Sequence, residues 1–127
     1  MIELTLKHSP HHYQRPRLSR GNVYVPHRKA KELTKLVLRS MYKDKMLDEG
    51  FSVDFDFVFT RPRSRKNASV HTSAPDLDNI IKFYLDAGTD VLWKDDRLCV
   101  AINARKSYGE QACIKMTVKK VSEDAPC

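Results

Sequence analysis

The ten residues from Phe51 to Thr60 alternate between large apolar side chains and smaller or polar ones. One parity holds four phenylalanines and a valine, whereas the other includes two aspartates, a serine and a threonine. Successive side chains of a β-strand point to opposite faces, so this alternation predicts a strand with one buried face. The fold must therefore cover that face with other elements.

Shorter alternating runs lie towards both ends of the chain. Residues 2–7 alternate between aliphatic and polar side chains, and so do residues 98–107 and 111–120 on either side of a Tyr-Gly-Glu turn, which predicts a β-hairpin. Residues 23–25 predict a further short strand. Residues 8–22 contain two prolines and a glycine and are predicted to form a loop.

Two segments have the apolar spacing of amphipathic helices, from about Pro26 to Met46 and from about Leu77 to Ala87. The apolar stripe of the first consists of Ala30, Leu33, Val37 and Met41. Together these elements predict an α+β fold, with a mixed, mostly antiparallel sheet packed against two helices. With 127 residues, we expect residues 1–127 to form a single domain.

Composition narrows the class of protein. No apolar run approaches the ~20 residues that cross a bilayer, and the first residues lack the hydrophobic block of a signal peptide. The three cysteines are widely spaced and form no CxxC, so we expect neither a disulfide nor a zinc site. A cytoplasmic protein with no membrane partner is expected.

The net charge of +7 is unevenly distributed. Residues 1–46 carry 11 Lys or Arg against 3 Asp or Glu, a net +8, whereas residues 76–127 carry 8 against 9, a net −1. A basic first part suits the phosphates of a nucleic acid, although similar runs also occur on solvated helices.

The acids of the second part form the patterns D-x-D-N-x-x-K and W-x-D-D, with Asp76, Asp78, Lys82, Asp95 and Asp96. Asp78 and Lys82 share one helix face, and Asp76 precedes the helix as an N-cap that can turn towards Asp78. Neighbouring extended residues point apart, so at most one of Asp95 and Asp96 is expected to join them. Converging carboxylates favour a bound cation, and Mg²⁺ beside a basic surface indicates phosphate chemistry on a nucleic acid.

Each part of this pattern also has a simpler explanation. Asp76 alone can be only an N-cap, and Asp78 with Lys82 can be a surface ion pair worth ~0.3–0.5 kcal/mol. Asp95 and Asp96 can be turn residues. The complete set in this order is far less expected by chance.

The set resembles the core motif of the RusA family of Holliday-junction resolvases, which are crossover junction endodeoxyribonucleases frequent in phages and prophages. The resemblance also covers residues 14–17, the Tyr24–Pro26 segment and the closing strands. It implies that Asp76, Asp78 and Asp96 bind the metal.

The resemblance further implies that Lys82 assists catalysis beside these three aspartates. Asp95 is a further candidate, either as a direct metal ligand or as a residue that contacts one of the ligands. The implied cofactor is Mg²⁺, with Mn²⁺ as a substitute. The implied activity is the metal-dependent cleavage of a four-way DNA junction in recombination and repair, leaving 5′-phosphate ends, by a homodimer of bacterial, phage or prophage origin.

Seven basic residues are predicted to contact DNA phosphates. They lie in the first loop and directly upstream of the acidic pattern: Arg15, Arg17, Arg20, Arg61, Arg63, Arg65 and Lys66. Four histidines have no assigned role, namely His8, His11, His12 and His71, and a zinc site among the first three is disfavoured.

Two alternatives remain open. The chain can be a non-catalytic protein that binds branched DNA, with aspartates that only cap and pair. It can also be a metal-dependent enzyme acting on another phosphoester, such as a nuclease that cleaves RNA. A nucleoside triphosphatase is disfavoured because no GxxxxGK[ST] motif occurs.

Overall fold

The computed structural model describes residues 1–65 and 67–121. The elements follow in the order β1 (Ile2–Leu6), β2 (Arg17–Ser19), β3 (Asn22–Tyr24), α1 (Arg28–Met41), β4 (Phe51–Thr60), α2 (Leu77–Gly88), β5 (Cys99–Gly109) and β6 (Cys113–Lys120). Short 3₁₀ turns lie at Arg63–Arg65 and Asp96–Leu98. The predicted α+β class, with two helices and a mixed, mostly antiparallel sheet, is confirmed.

The four-stranded sheet has the order β1-β6-β4-β5. β4 pairs in parallel with β5, and β6 pairs antiparallel with both β1 and β4. The predicted hairpin of β5 and β6 is therefore wrong, because β4 lies between them. β4 has the most apolar face of the chain, and an interior place in the sheet buries that face best. The segment containing α2 provides the long crossover that a parallel pair needs.

The short connection from β5 to β6 passes across the end of β4. Gly109 is the register partner of Thr60, and Cys113 is the partner of Val58. A Cβ added to Gly109 would lie 2.8 Å from Val58 Cγ1. The connection can therefore pass this close to β4 because residue 109 has no side chain.

β2 and β3 form a separate two-stranded hairpin. Its turn residues, Arg20 and Gly21, have φ angles of 52° and 80°, as a type I′ turn requires. The prediction of a loop over residues 8–22 is wrong for this part. All residues of both strands are exposed, so the strands have no buried face and no alternation that could indicate them.

Helix α1 is shorter than predicted at both ends, and it buries a different face. Thr34 and Leu38 are its buried residues. Leu33, Val37 and Met41 of the predicted stripe are 54%, 43% and 42% exposed. The apolar surface of α1 is therefore wider than the part that the sheet and α2 cover. Within the ranges that the structure describes, no helix has the length and apolar character to cross a membrane.

Helix α2 packs on the helix side of the sheet through a fully buried face that includes Ile80, Phe83 and Tyr84. Trp93, also fully buried, stacks on Phe51 of β4 with ring centroids 4.5 Å apart. Burial of such side chains contributes about 1.5–3 kcal/mol each. This packing fixes α2 and leaves its polar face towards solvent.

Candidate active site

Two aspartates with exposed side chains lie at the start of α2. Asp76 occupies the N-cap position in an extended conformation, but its side chain accepts no capping hydrogen bond. Its backbone carbonyl instead accepts from the N–H groups of Asn79 and Ile80. Asp78 lies in the first turn, and both aspartates are exposed. The N-cap position predicted for Asp76 is present, and its carboxylate remains available for other partners.

Both carboxylates line a cavity of about 580 Å³, here called the acidic cavity. Asn79 joins them on the α2 side, and residues 12–15 and Arg17 form the opposite wall. The structure therefore brings two of the predicted metal ligands together with Arg15 and Arg17, two of the predicted phosphate contacts.

The opposite wall is held to the helices by three hydrogen bonds. Tyr13 N donates to Asn79 O at 2.9 Å, and His11 N donates to the Tyr84 hydroxyl at 3.0 Å. Gln14 N donates to Nδ1 of His27 at 3.1 Å. Because burial lowers the pKa of His27, its ring is neutral near pH 7, which leaves Nδ1 free to accept.

Lys82 lies one turn after Asp78 on the same polar face of α2. Its Nζ is 3.8 Å from the centroid of the Tyr13 ring. No ion pair joins Lys82 to an aspartate in the part of the chain that the structure describes. The simpler explanation of Lys82 as the partner of Asp78 is therefore not the arrangement observed.

Asp95 and Asp96 differ in their surroundings. Asp95 caps the 3₁₀ turn, because its Oδ1 accepts from Arg97 N at 2.9 Å and its Oδ2 lies 3.3 Å from Arg97 Nε. Partial burial, a hydrogen bond to Asp95 and the negative charges of Asp86 and Asp95 raise the pKa of Asp96. The carboxyl of Asp96 thus lies in a negative field that a cation would relieve.

The acids along α2 fall into two groups. Asp76 and Asp78 share the acidic cavity, whereas Asp96 lies in the field of Asp86 and Asp95. Over residues 1–65 and 67–121, no three acidic, histidine or cysteine side chains converge closely enough to hold a metal ion. Asp86 was not among the predicted ligands, although its position eight residues after Asp78 places it on the same face.

The remaining predicted DNA contacts are spread over two loops. Arg20 lies at the tip of the β2–β3 hairpin, and Arg63 and Arg65 are exposed in the first 3₁₀ turn. Arg61 is engaged within the protein, because its Nε donates to Ala68 O at 2.6 Å and its Nη1 lies 3.3 Å from Glu110. Lys66 lies outside the described residues.

Two lysines that sequence reasoning missed hold the backbone at either end of α2. Lys106 Nζ donates to Ser73 O at 2.6 Å and to Pro75 O at 2.8 Å, just before Asp76. Lys106 is the register partner of buried Phe57, so its place on the apolar parity of β5 was the available signal.

Lys35 of α1 holds the other end. Its Nζ donates to the carbonyls of Asp86, Ala87 and Thr89 at 3.1, 3.4 and 2.5 Å. Burial lowers the pKa of Lys35. The contact fixes the end of α2 from which the chain continues to Asp95.

The histidines form no metal site within the described residues. His8 and His11 pack with ring centroids 4.9 Å apart. His71 is buried between Phe59 and Tyr108, at 4.4 and 4.5 Å, and its Nδ1 has no hydrogen-bond partner. Burial and the charge of Lys106 lower the pKa of His71, so it is a neutral packing residue beside the loop that precedes Asp76.

The family model described as Endodeoxyribonuclease RusA matches residues 8–119. No curated protein matches the chain.

Proposed function

This chain belongs to the RusA endodeoxyribonuclease family, and we propose that it is a Mg²⁺-dependent, structure-selective endonuclease that cleaves four-way DNA junctions. Membership implies an endonuclease that resolves Holliday junctions at the level of the family. The finer proposal is hydrolysis of phosphodiesters to 5′-phosphate and 3′-hydroxyl ends, in DNA recombination and repair. The observation that carries it is the acidic cavity, which Asp76 and Asp78 line together with Arg15 and Arg17.

The donor set suits a hard cation. Among the described residues, no backbone N–H donates to the exposed carboxylate oxygens of Asp76 and Asp78. Oxygen ligands are those that Mg²⁺ prefers, with Mn²⁺ as a substitute. We propose Asp96 as the third ligand, because Asp95 already caps the 3₁₀ turn, although among the described residues the carboxylate of Asp96 does not converge with those of Asp76 and Asp78 closely enough to hold an ion. When bound, the ion supplies a water of lowered pKa and neutralises charge on the phosphate.

The residues around the carboxylates handle the DNA. Arg15 and Arg17, which line the acidic cavity, would bind phosphates near the scissile bond, since each guanidinium can donate two hydrogen bonds. Lys82 lies one helical turn after Asp78 on α2. Its ammonium would stabilise negative charge that develops on the phosphate. Arg20, Arg63 and Arg65 would extend the basic surface along the arms of a branched substrate.

We propose that the protein acts as a homodimer. A four-way junction is cut on two opposed strands, so two sites related by a two-fold axis match the symmetry of the substrate. The exposed apolar side chains of α1 offer a surface for a second copy: Leu33, Leu36, Val37 and Met41. Size-exclusion chromatography with light scattering should give a dimer for the natural protein and a monomer for Leu33→Glu/Val37→Glu.

The decisive experiment uses a labelled four-way junction and a linear duplex of the same sequence, each with and without Mg²⁺. We expect cleavage of the junction alone and only with the metal, and Asp78→Asn serves as the inactive control. Binding without cleavage at any metal concentration would indicate a non-catalytic junction-binding protein. Cleavage of an RNA hairpin in preference to the junction would indicate the RNA nuclease.

A further inference from the structure

Lys82 would be expected to form an ion pair on an isolated helix. Asp78 lies four residues before it and Asp86 four residues after it, and lysine pairs with acids at both spacings. In the structure its ammonium instead lies 3.8 Å from the centre of the Tyr13 ring. Among the described residues, the ammonium thus lies over the Tyr13 ring and forms no ion pair with either carboxylate.

Tyr13 is itself a fixed support. Its backbone N–H donates to Asn79 O on α2 at 2.9 Å, and its ring packs 4.8 Å from the ring of His27. His27 is 4% exposed and contacts Phe83 edge to face at 5.9 Å. The aromatic surface under the Lys82 ammonium is thus anchored to the buried face of α2.

We propose that Tyr13, which lines the acidic cavity, is a positioning residue that holds the Lys82 ammonium beside this cavity and keeps it from neutralising Asp78 and Asp86. The inference rests on the proposed function, since the lysine is held for a phosphate and the carboxylates are left for a metal ion. A cation over an aromatic face is attracted by the negative face of the ring quadrupole, but the neutral ring does not cancel its charge. The ammonium therefore keeps its full charge for the substrate.

Two effects are expected when the ring is removed. Lys82 spends less time at its place beside the cavity, so single-turnover cleavage by Tyr13→Leu should fall about two- to fivefold, as for the loss of one exposed cation–π contact. The released ammonium also pairs with Asp78 or Asp86, so the Mg²⁺ concentration for half-maximal rate should rise. Tyr13→Phe keeps the ring and should restore most of both quantities.

A double-mutant cycle separates positioning from a general structural role. In a Lys82→Met background, Tyr13→Leu should cause no further change in rate or Mg²⁺ requirement, because there is no ammonium to position. Junction binding by the Leu variant should stay within about twofold of the natural protein, since the phosphate contacts come from arginines. Tyr13→Met replaces Tyr13→Leu if circular dichroism shows that the Leu variant is unfolded.

A third readout needs neither metal nor DNA. Protons held above an aromatic face are shielded, so the Hε resonance of Lys82, assigned by its loss in Lys82→Met, should lie upfield of the other lysines. The shift should persist in Tyr13→Phe and vanish in Tyr13→Leu.

An unshifted Lys82 resonance would overturn the inference. So would equal losses from Tyr13→Leu with and without Lys82, an unchanged rate and Mg²⁺ requirement in Tyr13→Leu, or a Phe variant as impaired as the Leu variant. If the natural protein cuts no junction while the shift behaves as expected, the contact stands and the proposed function fails.

Discussion

Asp78 offers a test of the metal site by a change of a single charge. Its carboxylate is exposed and faces away from the buried side of α2, so Asp78→Asn should leave the free energy of unfolding within ~0.5 kcal/mol of the natural value. We expect single-turnover cleavage to fall about 100-fold or more. Junction affinity should stay unchanged or increase slightly, because one negative charge near the DNA is removed. Cleavage at the natural rate would exclude Asp78 as a ligand.

The paired acids at 95 and 96 should respond unequally to the same substitution. Asp95→Asn keeps an oxygen that can accept from Arg97 N, and Asn is a good capping residue, so we expect less than about a fivefold loss of rate. Asp96→Asn removes the carboxylate that would complete the metal set and should cost about 100-fold. The measurement is cleavage across a Mg²⁺ titration. Equal losses, with circular dichroism unchanged, would mean that both acids bind the metal.

At the scale of an element, α2 is a helix whose two ends are held by lysines from other elements. Lys106→Met removes the donor to Ser73 O and Pro75 O. We expect a loss of about 1–2 kcal/mol in the free energy of unfolding. The Mg²⁺ requirement should also rise, because the backbone before Asp76 is no longer held. Urea unfolding and a metal titration measure the two effects.

Lys119→Met is the matched control for Lys106→Met. Lys119 is an exposed lysine of β6 that makes no ion pair among the described residues. Lys119→Met removes the same positive charge as Lys106→Met, but neither the free energy of unfolding nor the Mg²⁺ requirement should change. Indistinguishable metal titrations for the two variants would show that the Lys106 contact does not position Asp76.

The loop between β4 and α2 should contribute to DNA affinity through its exposed charges. Arg63 and Arg65 are exposed, so Arg63→Ala/Arg65→Ala should weaken junction binding and flatten the log–log dependence on salt by ~1.5–2 units. The fold should be retained. Binding isotherms between 50 and about 200 mM salt give the slope.

Lys43→Ala/Lys45→Ala is the control for the loop pair. Both lysines are exposed near the acids Asp44, Asp48 and Glu49, and the net charge changes by the same amount. We expect an unchanged slope. If instead the loop variant keeps the natural slope, the DNA lies elsewhere, with Arg15 and Arg17 as the next candidates.

Local patterns predicted the elements better than their pairing. Alternation identified β1, β4, β5 and β6, and apolar spacing identified both helices, because each signal depends on residues within one element. The partner of each strand depends on which face the whole chain buries. The short connection of three residues between β5 and β6 suggested a hairpin, but β4 lies between these two strands in the sheet.

The site shows the same division between local and distant information. The spacing of Asp76, Asp78 and Lys82 along one helix start could be predicted from the sequence. Tyr13 could not be placed over Lys82 from sequence, since the contact joins residues 69 positions apart across a loop. Lys35 likewise acts through carbonyls, which leave no trace in the order of side chains. Lys106 also binds carbonyls, and its only signal in the sequence was its place on the apolar parity of β5.

At the scale of the whole molecule, the crossing of β4 by the β5–β6 connection can be tested at Gly109. A Cβ there would lie 2.8 Å from Val58 Cγ1, and the stiff β-branched side chain cannot rotate freely away. Gly109→Ala should therefore cost about 1–3 kcal/mol in the free energy of unfolding. Chemical denaturation monitored by Trp93 fluorescence is the measurement.

Two further variants make the Gly109 result specific. Gly50→Ala is the control, because its added Cβ would meet Val100 at an ordinary 3.8 Å. Val58→Ala removes the obstructing methyl groups, so Gly109→Ala should cost less in that background. Equal costs in both backgrounds would mean that the backbone conformation, and not the crowding at Val58, requires glycine at position 109.

The place of β6 in the sheet has a consequence for the order of events during protein synthesis. β6 lies between β1 and β4 and pairs with both, yet it follows every other described strand along the chain. While the ribosome is still translating residues 113–120, β1 has no partner and one edge of β4 is unpaired. The nascent chain therefore exposes unpaired strand edges until then, a state in which chaperones bind and neighbouring chains associate. We expect the sheet to close only after β6 has left the ribosome.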